Sequence, residues 1–319
     1  MIINFVGSFT IGERGEVADE IHLALEMESL GHTVRKIPRD AWREYVIEKF
    51  PKNKYDVPED LKADINIICK WHHFYDGSFV QALRNLSNAP VFYWVWDYMQ
   101  GEDWHMAMAK EADLYLGNDV FSGQYKDFEN AYYFPFDCAD EGIDRVGEGR
   151  GEVYDVSFFG SYLPQGERIP WLSIINSQHK IKIFSVDHGN WKDAGFDAEP
   201  AVWGEEFAQK VANSKICLGF NVNDHCWGYW SNRVGKTLCV GGLLLQRYVP
   251  GMELFVRGGA EYFSSPQEAV SKIKVFLADK ELRNLIRQEG YRIGRDRFTS
   301  RARVEELHDL IGRRLSGGI

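Results

Sequence analysis

Residues 231–246, Ser-Asn-Arg-Val-Gly-Lys-Thr-Leu-Cys-Val-Gly-Gly-Leu-Leu-Leu-Gln, decide how this chain is read. Ser231 or Asn232 can cap a short helix whose first turn carries Arg233 and Lys236. Gly241 and Gly242 end that helix, and Leu243–Leu245 reads as a buried strand. Backbone N–H groups at a helix start, set beside two cations, form an anion site. Late in a chain of alternating strands and helices, such a site points to a ligand that carries phosphate.

The same alternation extends in both directions from this stretch. Upstream lie apolar strand patterns at Val153–Gly160, Lys180–Val186 and Lys215–Phe220, separated by helical patterns at Arg168–Asn176 and Glu205–Asn213. Downstream, from Pro266, the pattern is helical, ending in an Arg- and Glu-rich segment at Thr299–Leu315. In the first half, short apolar runs recur at Ile2–Phe9, Thr33–Ile37, Ile65–Trp71, Pro90–Val95, Asp113–Gly117 and Ala131–Phe134. Strands that alternate with helices imply right-handed crossovers and a mostly parallel sheet covered on both faces. Residues 140–152 break the pattern with charge and glycine, as an interdomain connection does. The expected fold class is α/β, with two doubly wound, Rossmann-like domains at 1–145 and 151–319, the second carrying a helical tail.

Composition limits the function classes. At 319 residues the chain is too long for one ordinary core, and 45% hydrophobic with 26% charged residues is the composition of a globular protein. A net charge of −10 argues against broad, sequence-independent nucleic-acid binding, although it leaves room for a local basic cleft. Five widely spaced cysteines without a C-x-x-C pair read as reduced thiols, and the expected location is cytoplasmic. His225-Cys226 has no second ligand pair at metal spacing, so no metal is expected. Residues 1–6 lack a basic leader segment, and no apolar run approaches a membrane span. Gly235-Lys236-Thr237 is not a phosphate-binding P-loop, because the glycine spacing is wrong and the segment falls within a helix.

Several stretches, in this order, resemble landmarks of GT-B fold glycosyltransferases, and of the group-1, CgeB-like family in particular. They are Gly31-His32-Thr33-Val34, Tyr93-Trp94-Val95-Trp96-Asp97, Ala112-Asp113-Leu114, Tyr133-Phe134-Pro135-Phe136 and Val156-Ser157-Phe158-Phe159-Gly160. Asn232-Arg233-Val234, continuing to Gly241-Gly242-Leu243-Leu244-Leu245, is similar to the family's N-R-x-F-E-A-x-A-C-G-G-x-x-L. The resemblance implies two domains facing a central cleft. The first would take the acceptor and the second the nucleotide-sugar. It implies a metal-independent transferase that moves a sugar from a nucleoside-diphosphate donor to a hydroxyl acceptor, with no cofactor beyond that donor. Two alternatives stand beside it: a catalytically silent binding protein on the same fold, and a transferase whose acceptor is a modified base in DNA. One departure bears on the donor. The family glutamate that commonly holds the ribose hydroxyls falls on Lys236, and the other acidic position falls on Gly228.

Candidate residues follow from strand ends, where doubly wound sheets bind ligands. For the phosphates they are Gly160, Ser161 and Arg168 on the first turn of the second domain, and Ser231, Asn232, Arg233 and Lys236. Ser185–Trp191 is placed to meet a nucleobase, with His188 or Trp191 offering an aromatic face. In the first domain, Gly12 and Gly15 let the backbone of the first loop approach a ligand closely. Asp97, His72 (with its neighbour His73) and Asp119 follow three apolar strands and are candidates to accept the proton of an attacking hydroxyl. A structural histidine explains His72 and His73 better than a catalytic one, and a helix cap would explain Asp119.

Overall fold

The computed structural model describes residues 1–11, 18–48, 60–69, 75–97, 102–125, 127–135 and 151–315. Gly12, Gly15, His72 and His73 lie outside the described residues, as does most of the expected connection at 140–152. The chain divides into two compact units. The first holds Met1–Phe136, Cys226–Tyr229 and Val304–Ile319, and the second Asp137–His225 and Trp230–Arg303. Two pieces expected in the second domain therefore belong with the first. The Tyr133 hydroxyl donates to the Gly228 carbonyl at 2.8 Å, and Arg314 donates to the Asp113 carbonyl at 3.3 Å. Val304, Leu307, Leu310 and Ile311, at helical spacing, bury one face of the last helix.

The first unit is built on six parallel strands: β1 (Ile2–Gly7), β2 (Thr33–Pro38), β3 (Ile65–Cys69), β4 (Val91–Val95), β5 (Leu114–Gly117) and β6 (Ala131–Tyr133), in the order β2-β1-β3-β4-β5-β6. The central strands β3, β4 and β5 are buried on both faces, which is why they read as unbroken apolar runs. Between them lie α1 (Asp19–Ser29), α2 (Arg39–Glu48), α3 (Gly77–Ser87) and α4 (Asp103–Glu111). Asp76 caps α3 by accepting from the Ser78 amide at 2.8 Å.

The second unit has its own six-stranded parallel sheet: β7 (Tyr154–Phe159), β8 (Ile181–Ser185), β9 (Asp197–Pro200), β10 (Ser214–Gly219), β11 (Leu244–Arg247) and β12 (Glu261–Phe263). The order β9-β8-β7-β10-β11-β12 reverses direction between β7 and β10, and that switch point opens a crevice beyond the strands' carboxyl ends. The intervening helices are α5 (Arg168–Gln178), α6 (His188–Asp193), α7 (Gly204–Ala212), α8 (Arg233–Cys239) and α9 (Met252–Val256). Then come α10 (Pro266–Ala278), α11 (Lys280–Arg297) and α12 (Ser300–Leu315). Ser265 caps α10 and Asp279 caps α11, accepting from Glu268 and Leu282 amides at 3.1 and 2.9 Å.

Glycine brings α11 against α8. A Cβ at Gly294 would stand 2.7 Å from the Cys239 backbone nitrogen, and backbone cannot swing aside as a long side chain can. Gly294→Val is expected to cost about 1–3 kcal/mol by overpacking, read as a lower urea midpoint. An unchanged midpoint would show that the two helices separate freely.

Candidate functional site

The carboxyl end of the second unit's sheet holds a cavity of about 450 Å3. Its polar end is lined by Gly160, Ser161, Arg168, Ser231, Asn232, Arg233 and Lys236. Toward β8 and β9, on the other side of β7 from α8, the lining is mainly apolar, with Phe184, Val186, Val202, Trp203 and Phe207 beside Ser185. Two turns that are far apart in sequence thus meet at one place. The first follows β7, and the second opens α8.

Arg233 fixes that meeting. Its guanidinium donates to the Phe159 carbonyl at the end of β7 and to the Phe220 carbonyl just past β10, the latter at 3.2 Å. It therefore spans the switch point of the sheet. Gly160 leaves room for the same guanidinium, which a Cβ there would displace. Ser231 supports the arginine by accepting from its amide at 3.3 Å and from its Nε at 3.1 Å. The Asn232 side chain makes no capping bond to α8, so Ser231 does the local work at this helix start. Gly241, at φ +74°, turns the chain out of α8 as the sequence pattern requires.

A second layer of polar contacts holds the Ser231 loop. Asn221 accepts from the Ser231 amide at 3.0 Å and donates to Asp224 at 3.2 Å. Asp224 pairs with Arg247 at 3.2 Å, and Arg247 lies 4.1 Å from the centre of the Trp171 ring. Burial pushes the Asp224 carboxyl above its ordinary range, against the pull of Arg247. Arg168 is buried at the start of α5, where it donates to the Ser161 carbonyl at 3.1 Å. Arg168 and Arg233 are thus both held by carbonyls at the sheet ends.

The expected nucleobase residues are elsewhere. Trp191 is fully buried, donating to the Gly160 carbonyl at 3.3 Å and packing on Phe158, Tyr162 and Phe196. It therefore has no face left for a ligand. His188 is half-buried at the start of α6 and does not line the cavity. Of that expected segment, Ser185 and Val186 alone reach the cavity wall. Trp203, just past β9, is the aromatic residue that the sequence pattern missed.

In the first unit, Asp97 is exposed just beyond β4. The preceding Trp96 carbonyl accepts from Asn118 at 3.0 Å, which ties that strand end to the turn after β5. Asp119 is neither an exposed base nor a helix cap. It is fully buried, and its two oxygens accept from the hydroxyls of Tyr115 at 2.7 Å and Tyr125 at 3.2 Å. Those tyrosines also contact His105, whose Nδ1 meets the Tyr93 hydroxyl at 2.9 Å and whose Nε2 meets Tyr125 at 2.7 Å. Asp119 thus anchors an internal network, which corrects its expected catalytic role.

Among the described residues, no three His, Cys, Asp or Glu side chains gather as a metal-ligand set, and no helix is long and apolar enough to cross a membrane.

Comparison with known proteins agrees with this fold. Residues 168–309 match a family model described as glycosyl transferase-like. No curated protein matches the chain. Among solved structures, a glycosyltransferase from Rickettsia africae ESF-5 superposes with a TM-score of 0.67 at 10% identity, covering 98% of each chain. Anabaena HepE in complex with UDP-glucose gives 0.63 at 13% identity, over 99% of this chain and 100% of that one. An alpha-glucosyltransferase in complex with UDP and a 13-mer DNA containing a HMU base gives 0.65 at 11% identity, over 98% and 99%. The fold is that of the GT-B glycosyltransferases, and the family domain together with the fold supports a transferase.

Proposed function

We propose that this protein, of CgeB-like type, moves a sugar from a nucleoside-diphosphate donor to a hydroxyl acceptor without using a metal ion. The observation that carries this reading is the two-ended cavity of the second unit. Arg168, Arg233 and Lys236 stand at one end with the hydroxyls of Ser161 and Ser231, and an aromatic wall forms the other. A nucleoside diphosphate is itself two-ended, with an anionic group joined to a planar ring.

As the bond between the anomeric carbon and the phosphate oxygen breaks, its electron pair passes to the diphosphate. Fixed cations stabilise that charge without reorganising. The acceptor oxygen forms the new bond to the anomeric carbon and loses its proton to Asp97 of the first unit. A reducing, cytoplasmic setting belongs to the same reading, since the five cysteines are widely spaced and include no C-x-x-C pair.

Calorimetric titration with UDP-glucose, other nucleotide-sugars and inorganic pyrophosphate tests the reading. One donor is expected to bind, pyrophosphate to compete with it, and slow release of free nucleotide to accompany binding. A protein that binds neither donor nor pyrophosphate ends the proposal. Binding without any release or transfer would favour the silent-binder reading, which the lysine at position 236 also suits. Hydroxymethylated DNA added to the same assay tests a nucleic-acid acceptor. Arg233→Ala is expected to weaken pyrophosphate and donor binding by about 1.5–3 kcal/mol, the size of a lost charge-assisted hydrogen bond. Unchanged affinity would remove Arg233 from the phosphate site.

A further inference from the structure

We propose that Trp203 is the residue on which the donor's nucleobase stacks, an inference that rests on the nucleotide-binding reading of the same cavity. Three aromatic side chains line the apolar end, and they are not equivalent. Phe184 and Phe207 are buried and committed to Phe159, with ring centres 5.1 and 5.0 Å from it. They make a fixed floor. Trp203 is half-buried on the cavity wall, and among the described residues its indole has no hydrogen bond, ring contact or cation partner.

The other tryptophans of this unit differ. Trp191 donates to a carbonyl, Trp171 carries Arg247 on its face, and Trp230 meets Phe255 at 5.2 Å. An indole left half-open in a mainly apolar recess is suited to a flat ring, because its face binds by contact and its Nε1–H is available at the edge.

Backbone geometry holds Trp203 in place. It follows the carboxyl end of β9 and caps α7 in extended conformation, at φ −135° and ψ 167°. Gly204 then turns the chain at φ +53°, a value that favours glycine. The ring therefore sits at the start of a helix whose Phe207 and Ala208 are buried in the core. Val186 and Val202, which also line the cavity, are apolar, and the hydroxyl of buried Ser185 accepts from the Asp187 amide at 3.0 Å, so the lining beside Trp203 meets a ring chiefly by its face.

The test titrates wild type, Trp203→Ala and Trp203→Phe with UDP, dTDP, GDP, ADP and inorganic pyrophosphate, with thermal unfolding as the check on folding. For the tightest nucleotide, Trp203→Ala is expected to lose roughly 5- to 150-fold in affinity while pyrophosphate affinity stays unchanged. Trp203→Phe is expected to recover most of the loss. Three results overturn the inference while leaving the phosphate site standing. These are nucleotide affinity unchanged in Trp203→Ala, an equal loss for nucleotide and pyrophosphate, and a wild type that binds pyrophosphate as tightly as any nucleotide. A wild type that binds none of the five ligands removes the nucleotide reading and this inference together.

Discussion

Between pH 6.5 and about 3 the protein is expected to lose on the order of 4 kcal/mol of stability through one side chain, His105. Burial lowers its pKa to about 3, because an imidazolium would have to leave water for the interior of the first unit. In the unfolded chain the same group titrates near 6.5. As pH falls, the unfolded state therefore binds the proton first. The stabilising contribution is complete above the unfolded value and is gone once pH reaches the folded one.

The hydrogen-bond network agrees with a neutral ring. The Tyr115 and Tyr125 hydroxyls donate to Asp119, which leaves Tyr125 to accept from Nε2–H of His105 and Tyr93 to donate to Nδ1. A second proton on the ring would have no acceptor in that arrangement. Urea midpoints measured at intervals from pH 7 to pH 5 test this, in a range where ordinary carboxylates change little. Wild type should lose stability steadily, and His105→Gln, although less stable at pH 7, should give a flatter line. Parallel lines for the two proteins would reject the account, as would an NMR titration showing His105 protonated at pH 6.

The fold was legible wherever burial on both faces leaves an apolar run. The runs at β1, β3, β4, β7 and β10 each stand out in the sequence for that reason. Edge strands have no such requirement. Asp-Ala-Glu-Pro at β9 and Glu-Tyr-Phe at β12 each pair on one side only, and neither gives a strand signal. That omission reaches the candidate site. Without a strand signal at β9 the sequence offers no strand end to carry Trp203, and its pattern points instead to Trp191, which the core consumes. The polar end was easier to read, because a glycine turn with a nearby arginine and a cation-bearing helix start are local patterns. The partition of the last helix was not readable. Helical spacing shows which face of α12 is buried but not which unit covers it.

Asp97→Asn is expected to lower turnover by about 10²- to 10⁴-fold while leaving nucleotide affinity unchanged. The two effects separate because Asp97 belongs to the first unit, and the side chains proposed to hold the phosphates belong to the second. Asparagine keeps the size of the side chain and removes only its capacity to take a proton.

The stereochemical outcome tests the same assignment by a different route. If a side-chain base removes the acceptor proton, the acceptor oxygen attacks opposite the leaving diphosphate, and the anomeric configuration inverts. If the departing diphosphate oxygen takes the proton itself, attack comes from the same face. Configuration is then retained, and no carboxylate is needed for that step. A base role for Asp97 therefore predicts inversion and a large loss in Asp97→Asn. Retention combined with a loss below about tenfold would assign the proton to the diphosphate. The cations around Arg233 would then have to stabilise a leaving group that is also the base.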